Sequence, residues 1–336
     1  MLMALAAGMA SFAAVQAILA AGAPEAARES RFMALTFDDL PYAYAAPGAA
    51  VDLARAKRAT AALLGTVSSH GAPAVAFVNE AKLGTGAEMK ARTALLRRWV
   101  KAGALLGNHT YSHADFNAIN VPEFEAEILK GEVVTRRLMK SREPYQLYFR
   151  PPKTHTGDTR EKKDAIEAFL AVRGYKMAPH TIDSEDYIFN AGYVHVPGDD
   201  PASAARLRSS YLDFVMRATE FAERVSQEIF GRDIPQTILL HANDINADAL
   251  DELLTRLEGR GYRFVSLDAA MADPAYRIRD TFVTAFGPTW LWRWVKSEGM
   301  KISFNDDPEP PPWVVDRFNA VERQRLEDLP TAPPSK

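Results

Sequence analysis

Short apolar runs alternate with longer amphipathic stretches along most of this chain, and a glycine marks four of the joints between them. Gly71, Gly103, Gly174 and Gly261 each follow a predicted helix and precede a predicted strand. A glycine at such a point favours the left-handed conformation that ends a helix. Repeated helix–glycine–strand joints are typical of βα units, whose strands form a parallel sheet. The pattern therefore predicts an α/β fold.

The same pattern gives the approximate bounds of the elements. The predicted strands are residues 32–37, 73–78, 104–108, 146–149, 175–178, 237–241 and 263–266. The predicted helices are residues 52–69, 87–102, 122–140, 159–172 and 247–258. Seven strands suit a barrel, or a distorted barrel that is incompletely closed. The 336 residues allow one such domain of about 250 residues with extensions.

Two stretches do not fit the repeat. Residues 184–231 contain a loop rich in Gly, Pro and Asp and then a predicted helix from residue 202 to about 230, which we interpret as an insertion. Residues 275–336 are rich in aromatic side chains, contain a Pro-rich run at 306–312 that favours an extended chain, and end in a predicted disordered tail. The predicted catalytic domain is therefore residues 31–270.

The first 23 residues contain no charged side chain and end in a run of small residues. This resembles the apolar region and cleavage site of a secretory signal peptide, although a positive amino-terminal region is missing. The alternatives are a membrane anchor or an ordinary first helix. The expected location is periplasmic or secreted, without stable membrane contact if the leader is cleaved, and the alternatives are membrane-anchored and cytoplasmic.

Composition excludes several classes of function. The chain has no cysteine, so disulfides, thiolate metal sites and cysteine nucleophiles are excluded. Its formal net charge of −3 argues against nucleic acid as a partner, since binding phosphates requires a basic face. The chemistry must therefore come from His, Asp, Glu and Arg.

Two pairs of polar residues follow predicted strands. Asp38 and Asp39 end the first strand, where adjacent carboxylates repel each other and are costly to bury without a cation, although aspartates also favour ordinary turns. His109 and His113 follow the third strand, and on a helical turn this spacing lets both imidazoles reach one ion. Two histidines and one aspartate leave coordination positions open, as catalytic metal sites do, and the same set also fits non-haem iron.

Three further polar residues follow later strands. Arg150 would need a carboxylate such as Asp38 or Asp183 if buried, and the alternative is a surface salt bridge. Asp183 begins an acidic loop. His241 ends a strand at the expected mouth of the barrel, and the alternative is a buried structural histidine. Barrel enzymes place their catalytic groups at such strand ends, so five polar motifs in succession indicate one active site.

The order of these motifs resembles the polysaccharide deacetylase family (carbohydrate esterase family 4, the NodB homology domain). Residues 36–39 match the family's Thr-Phe-Asp-Asp, and residues 109–113 match its His-Ser/Thr-x-x-His. Residues 150–152 match Arg-x-Pro, residues 183–187 resemble Asp-Ser-x-Asp-Trp, and residues 239–241 match Leu-x-x-His loosely. The resemblance implies a distorted, incompletely closed (β/α)7 barrel of the glycoside hydrolase/deacetylase type.

The resemblance also implies roles for individual residues. One divalent metal ion, most often zinc, would be bound by Asp39, His109 and His113. Asp38 would be the general base, oriented by Arg150. His241 would be the general acid, held in its working tautomer by Asp183.

Substrate contacts are expected from four further residues. Leu239 would line a pocket for the acetyl methyl group, and a backbone N–H of the turn at Pro152 and Lys153 would face the oxyanion. Lys153 and Tyr187 stand where the family often has an aromatic residue and a tryptophan. These two departures affect the expected binding of the sugar.

The leading hypothesis is a metal-dependent hydrolase that removes N- or O-acetyl groups from a carbohydrate, with an N-acetylhexosamine polymer such as peptidoglycan or chitin as substrate. A second hypothesis is an amidase or deacylase of a small, non-polymeric substrate, because residues 184–231 could roof the cleft. A third is a non-catalytic carbohydrate-binding envelope protein, which would not need Asp38 and His241 together with three metal ligands.

Overall fold

Eight parallel strands form the centre of the protein in a computed structural model, which describes residues 31–43 and 52–327. The strands are β1 (Arg31–Leu40), β2 (Ala74–Val78), β3 (Leu105–Asn108), β4 (Leu147–Phe149), β5 (Tyr175–Met177), β6 (Ile182–Asp183), β7 (Gln236–His241) and β8 (Tyr262–Phe264). Their order is β5-β4-β3-β2-β1-β7-β6, and β8 pairs with the first residues of β1. Within the described residues no pairing joins β5 to β6, so the predicted incompletely closed barrel is confirmed.

The α-helices lie between and after the strands, and all but one of the predicted helices are confirmed in outline. They are α1 (Leu53–Ser69), α2 (Gly86–Lys101), α3 (Val121–Lys130), α4 (Val133–Met139), α5 (Arg160–Val172), α6 (Asp186–Tyr193), α7 (Pro201–Phe230), α8 (Asp244–Gly259), α9 (Leu267–Met271), α10 (Trp290–Ser297) and α11 (Pro312–Glu327). The exception is the single helix predicted over residues 122–140, which is divided into α3 and α4. At the break, a Cβ on Gly131 would lie 2.6 Å from the carbonyl carbon of Thr110, so the chain turns where another loop passes close to it.

The central strand β1 is buried on both faces, as expected for a parallel sheet covered by helices. The side chains of residues 33–38 are all buried, and the ring of Phe37 packs against that of Trp99 with centroids 5.1 Å apart. β1 pairs with β2 on one side and β7 on the other. Groups that follow these three strands are therefore brought to the same edge of the sheet.

The helical second half of the segment predicted as an insertion contributes to the hydrophobic core. The predicted helix at 202–230 is confirmed as α7, which begins with its first turn capped by Asp200. Its buried side chains, including Leu207, Tyr211 and Val215, belong to the main hydrophobic cluster. Apolar burial of this kind stabilises a fold by about 25 cal/mol per Å². α7 is therefore part of the domain that supports the sheet.

Residues 275–327, here called the C-terminal segment, fold back onto the barrel. Its α11, which the sequence analysis did not predict, begins at the end of the Pro-rich run, with a proline in its first turn. The segment is fixed by Arg293, which is fully buried and lies 3.2 Å from Asp280 and 2.9 Å from the hydroxyl of Thr156. Asp280 also pairs with the buried Lys163 of α5 at 2.7 Å. One carboxylate thus joins two buried cations.

Removal of Arg293 is expected to destabilise the whole domain. Arg293→Ala leaves Asp280 and the buried carbonyl of Thr154 without this donor, and breaking a buried ion pair costs about 3–5 kcal/mol. Urea unfolding followed by circular dichroism measures this loss. Arg279→Ala is the matched control, because that side chain is 72% exposed and should change the unfolding free energy by less than about 0.5 kcal/mol. Equal stability of the two variants would contradict the stabilising role of Arg293.

The predicted leader, residues 1–23, and the predicted tail, residues 331–336, lie outside the described residues. Among the helices that are described, none combines the length and the apolar character needed to cross a membrane.

Candidate active site

The ends of β1 and β7 place Asp38 beside His241. These two residues are register partners on neighbouring parallel strands, so their side chains leave the sheet in the same direction. Asp38 is 3% exposed, and the side chain of His241 is 16% exposed. A carboxylate and an imidazole therefore face one space at the mouth of the barrel.

An irregularity in β1 brings the next residue, Asp39, into the same space. Consecutive side chains of a regular strand point to opposite faces. The pairing of β1 with β2 shifts register between Phe37 and Leu40, and Asp39 has a φ of 71°. A bulge of this kind re-aims a side chain next to an active site. Both carboxylates of the doublet can thus serve one centre.

Asp39, His109 and His113 form a cluster that could hold a metal ion. Their candidate ligand atoms all lie within 4.8 Å of one another. Oδ1 of Asp39 is 3.6 Å from Nε2 of His113 and 3.9 Å from Nε2 of His109. The structure therefore brings together the three residues that the sequence analysis selected as ligands.

The loop that carries the two histidines is irregular, and the expected helical turn was wrong. Thr110 and His113 both adopt left-handed backbone conformations, with φ of 64° and 63°. Such angles are costly for non-glycine residues and persist only where surrounding contacts impose them. Here Oδ1 of Asn108 accepts a bond from the Thr110 N–H, and Glu127 accepts bonds from the N–H groups of residues 111 and 112. These contacts, rather than helical periodicity, bring the imidazoles together.

The donor set fits a divalent metal ion in three respects. Nδ1 of His109 lies 2.7 Å from the carbonyl oxygen of Arg150, so it donates its proton there and leaves Nε2 to face Asp39. Burial lowers the pKa of His109, and burial lowers that of His113 to about 4, which favours the neutral, metal-binding imidazoles. Oδ1 of Asp39 is buried and accepts no hydrogen bond of good geometry from the residues that the structure describes.

A lysine provides the nearest positive charge to this cluster. Nζ of Lys82 lies 3.0 Å from Oδ1 of Asp39 and 3.4 Å from its carbonyl oxygen. Burial alone would raise the pKa of Asp39, but the charge of Lys82 and of the nearby histidines outweighs it and lowers that pKa. Asp39 therefore stays ionised. The sequence analysis did not identify Lys82.

Arg150 is fully buried and holds Asp38 in place. Its Nη1 donates to Oδ1 of Asp38 at 2.9 Å and to the hydroxyl of Thr36 at 2.8 Å. The guanidinium lies 4.6 Å from the ring centroid of Phe77. Of the two partners considered from the sequence, Asp38 is thus the one that Arg150 contacts. Oδ2 of Asp38 remains directed at Nε2 of His109, 3.6 Å away.

The expected partner of His241 was wrong. We expected Asp183, but Nδ1 of His241 lies 2.6 Å from Oδ1 of Asp186, and the His241 backbone N–H donates to Oδ2 of the same carboxylate at 2.7 Å. Asp186 begins α6 and is fully buried, and Asn246 also donates to it. Burial opposes protonation of His241, but the charges of Asp186, Asp39 and Asp38 outweigh it and raise its pKa to about 10.

Asp183 instead forms an acidic pair with Glu185 on the wall of the cavity. Burial raises the pKa of Asp183 to about 6, and burial together with the charge of Asp183 raises the pKa of Glu185 to about 8. The pair therefore does not carry its full negative charge at neutral pH. The charge of His241 acts in the opposite direction and lowers the pKa of Asp183, although the two side chains do not bond to each other.

A cavity of about 880 Å³ opens over these groups. Of the four predicted substrate-binding residues, Leu239, Lys153 and Tyr187 line it, and Pro152 is buried beside the turn that carries Lys153. Nζ of Lys153 pairs with Asp115 at 2.8 Å. The cavity is also lined by residues that the sequence analysis did not select, among them Tyr42, Arg55, Asn190, Asn243, Gly287, Phe318, Glu322 and Arg325.

Asn243 is one of the residues that were missed. It is 1% exposed, and its Oδ1 accepts the Asn246 N–H at the start of α8, while its Nδ2 has no partner within residues 31–43 and 52–327. A buried donor without a partner is costly and suits a ligand oxygen. A sequence signal existed, because an Asn directly before a helix is a common N-cap, but it indicates only the cap.

Comparisons with known proteins show similarity to polysaccharide deacetylases. Residues 25–168 match the family model for polysaccharide deacetylases. A chitin deacetylase of Arthroderma benhamiae is 30% identical over 248 residues, which are 72% of this chain and 52% of that protein. A peptidoglycan-N-acetylglucosamine deacetylase of Bacillus cereus is 23% identical, covering 70% of this chain and 66% of that protein. The chain thus spans about half to two thirds of the length of these relatives.

Solved structures with a similar fold include a pseudoenzyme of carbohydrate esterase family 4 from Bacillus anthracis. It is 17% identical, with a TM-score of 0.47, and covers 72% of this chain and 66% of that one.

Proposed function

Because the chain belongs to the polysaccharide deacetylase family, we propose that it is a metal-dependent hydrolase that removes acetyl groups from an N-acetylhexosamine glycan. Membership of the family itself supports a carbohydrate deacetylase activity. The single observation that supports catalysis is the presence of Asp38 and His241 on adjacent strand ends beside the cluster of Asp39, His109 and His113.

Asp38 is proposed as the general base. Its Oδ1 is fixed by Arg150, so Oδ2 is the atom that would take a proton from an attacking water. A buried guanidinium that bonds to one carboxylate oxygen limits rotation of the carboxylate. Proton transfer by a positioned group of this kind contributes about 10²–10⁴-fold to a rate.

His241 is proposed as the general acid, with Asp186 as its positioning residue. Since Asp186 occupies Nδ1, the proton on Nε2 is the one available to the departing amine. The tetrahedral oxyanion would face a backbone N–H of the Pro152–Lys153 turn, where Lys153 has a φ of 55°. Leu239, buried and lining the cavity, would contact the acetyl methyl group.

A divalent metal, for which zinc is our proposal, would be held by Asp39, His109 and His113. When bound, it would polarise the acetyl carbonyl and lower the pKa of water. Two histidines and one carboxylate are ligands that zinc accepts in catalytic sites.

Removal of the metal is expected to abolish acetate release, and added Zn²⁺ is expected to restore it. The same loss is expected for His109→Ala, which should also lose bound metal by elemental analysis, because one of three ligands is removed. His70→Ala is the matched control, since His70 pairs with Glu258 and Asp251 away from the cavity. Full activity of the chelated protein towards acetylated chito-oligosaccharides would contradict metal dependence.

Deacylation of a small, non-polymeric substrate is a second candidate, favoured by the enclosure of the cavity by the C-terminal segment. The two functions are distinguished by acetate release from a panel of acetylated oligosaccharides and simple N-acyl compounds. A non-catalytic binding role would not require the pairs Arg150–Asp38 and Asp186–His241.

A further inference from the structure

The C-terminal segment fills the gap of the barrel between β5 and β6. The N–H of Trp290, at the start of α10, donates to the carbonyl of His180 at 2.8 Å, and the two rings lie 5.7 Å apart. His180 follows β5 and is fully buried. From the same helix, Arg293 donates to the carbonyl of Thr154 at 2.8 Å. The segment is thus anchored beside the turn that carries Lys153.

The loop before α10 is in tight contact with that turn. A Cβ on Gly287 would lie 1.9 Å from the carbonyl oxygen of Lys153, so only glycine permits this approach. Two residues earlier, the carbonyl of Ala285 accepts a bond from Nδ2 of Asn117 at 2.8 Å. The loops after β3 and β4 and the C-terminal loop therefore form one continuous side of the cavity, with Gly287 on its lining.

The helix α11 docks on the neighbouring side. Val314 is fully buried, and the guanidinium of Arg206 lies 4.1 Å from the ring centroid of Trp313. Nε of Arg317 donates to the carbonyl of Gly192 at 3.2 Å, and a Cβ on Gly192 would lie 2.9 Å from the Arg317 side chain. The position of α11 on α6 is thus determined by close contacts.

This docking presents a row of side chains to the cavity. Phe318, Glu322 and Arg325 line it, and Glu322 and Arg325 form an ion pair at 2.7 Å. The ring of Phe318 meets that of Tyr187 edge to face at 5.8 Å, and Tyr187 in turn lies 6.3 Å from the ring of His241. An aromatic surface therefore runs from the proposed acid outwards, with polar groups at its outer end. We call Gly287, Phe318, Glu322 and Arg325 the C-terminal wall.

A wall in this place limits which part of a glycan can reach the site. A polymer that is deacetylated at an internal residue must leave the cavity in two directions. From β4 to β7 one side of the cavity is lined by the turn at Lys153, the C-terminal wall, α6 and His241. The volume of about 880 Å³ lies within the range of roughly 300–1,000 Å³ that is typical of pockets for small ligands.

We propose that the site acts on the terminal residue of an N-acetylhexosamine glycan, or on a short oligosaccharide, and that the C-terminal wall determines this specificity. The inference rests on the proposed function. The apolar face of a pyranose ring would pack on Tyr187 and Phe318, as apolar surfaces do on aromatic rings. Its hydroxyl groups would bond to Glu322 and Arg325, which provide both acceptors and donors.

The experiment is to treat a reducing-end-labelled hexamer of N-acetylglucosamine with the metal-loaded protein and to locate the first deacetylated residue by tandem mass spectrometry. We expect it at one end of the chain, and kcat/KM for the trimer to exceed the value per residue of soluble polymer about tenfold or more. Deacetylation of internal residues would overturn this inference and leave the proposed function intact. Release of no acetate from any oligomer or from the polymer would overturn both.

Variants of the wall separate specificity from folding. Phe318→Ala should raise KM for the trimer about 5- to 10-fold, with a smaller change in kcat, and should increase the internal fraction. Gly287→Ala should also raise KM for the trimer and increase the internal fraction, because its methyl group would displace the loop from Lys153. Phe318→Trp keeps an aromatic ring and should retain end selectivity. Arg323→Ala, an exposed residue of α11 outside the cavity lining, should match the wild type. An unchanged pattern of deacetylation in both Phe318→Ala and Gly287→Ala would refute the proposal that the C-terminal wall determines specificity.

Discussion

Asp38→Asn is expected to reduce kcat/KM for acetate release by about 10²–10⁴-fold while bound metal is retained. An asparagine at this position keeps an oxygen that can accept the bond from Nη1 of Arg150, so the buried guanidinium keeps a partner and the fold should persist. What is lost is the carboxylate oxygen that faces Nε2 of His109, 3.6 Å away. The variant therefore removes the proposed base with little change of shape.

Three measurements test this result together. Acetate release gives the rate, elemental analysis gives the metal content, and circular dichroism gives the midpoint of unfolding. Asp251→Asn is the matched control, because the Asp251 side chain is 76% exposed on α8 and should not change any of them. If Asp38→Asn retained full activity, another group would have to act as the base.

Asp186→Asn is expected to lower kcat/KM by a comparable amount, on the order of 10²–10⁴-fold, because the proposed acid loses its charged partner. The matched variant is Asp183→Asn. Since Asp183 lines the cavity without bonding to His241, it should affect the rate much less. A larger loss in Asp183→Asn than in Asp186→Asn would favour the assignment made from the sequence.

The pH dependence of the Asp186 variant gives a second test. His241 must be protonated to act as an acid, so activity falls as pH rises through its pKa. Desolvation lowers that pKa, and the charge and hydrogen bond of Asp186, with Asp39 and Asp38, raise it to about 10. A bound divalent ion would offset the contribution of Asp38 and Asp39 to this raised pKa. The contribution of Asp186 would remain. In the Asp186→Asn variant the alkaline limb of kcat/KM should move to lower pH by about 1–3 units.

Much of the barrel could be predicted because its signals are local. β1, β3 and β7 are apolar runs next to turn residues, and each ends close to one of the polar motifs. Parallel strands place their carboxyl ends at one edge, so these motifs had to meet. β6 has only two residues and shows no pattern that distinguishes it from a loop.

The partner of His241 could not be predicted either, because the acidic stretch that begins in β6 also has no distinguishing pattern. Asp183 ends β6 and Asp186 begins α6, and the two carboxylates lie three residues apart in one acidic stretch. Which of them reaches His241 depends on the turn at Glu185, whose φ is 48°, an angle uncommon for this residue type. The conformational propensity of glutamate does not predict such a turn.

The role of the C-terminal segment could not be predicted from the sequence either. Its aromatic residues were visible in the sequence, but composition does not indicate on which surface a helix docks. The contacts that decide it join distant parts of the chain, such as Arg317 with Gly192 and Arg293 with Thr154. Sequence periodicity gives no information about pairings at such separations.

The position of β1 also has a consequence for biosynthesis. Thr36, two residues before Asp38, bonds to the carbonyl of Ile238, 202 residues later in the chain. A ribosome adds about 5–20 residues per second, so some 10–40 seconds separate synthesis of the proposed base from synthesis of the strand that carries the acid. During that interval β1 lacks its partner β7, and pairing over such a distance is intrinsically slow. The nascent chain therefore contains the proposed base well before it contains the proposed acid.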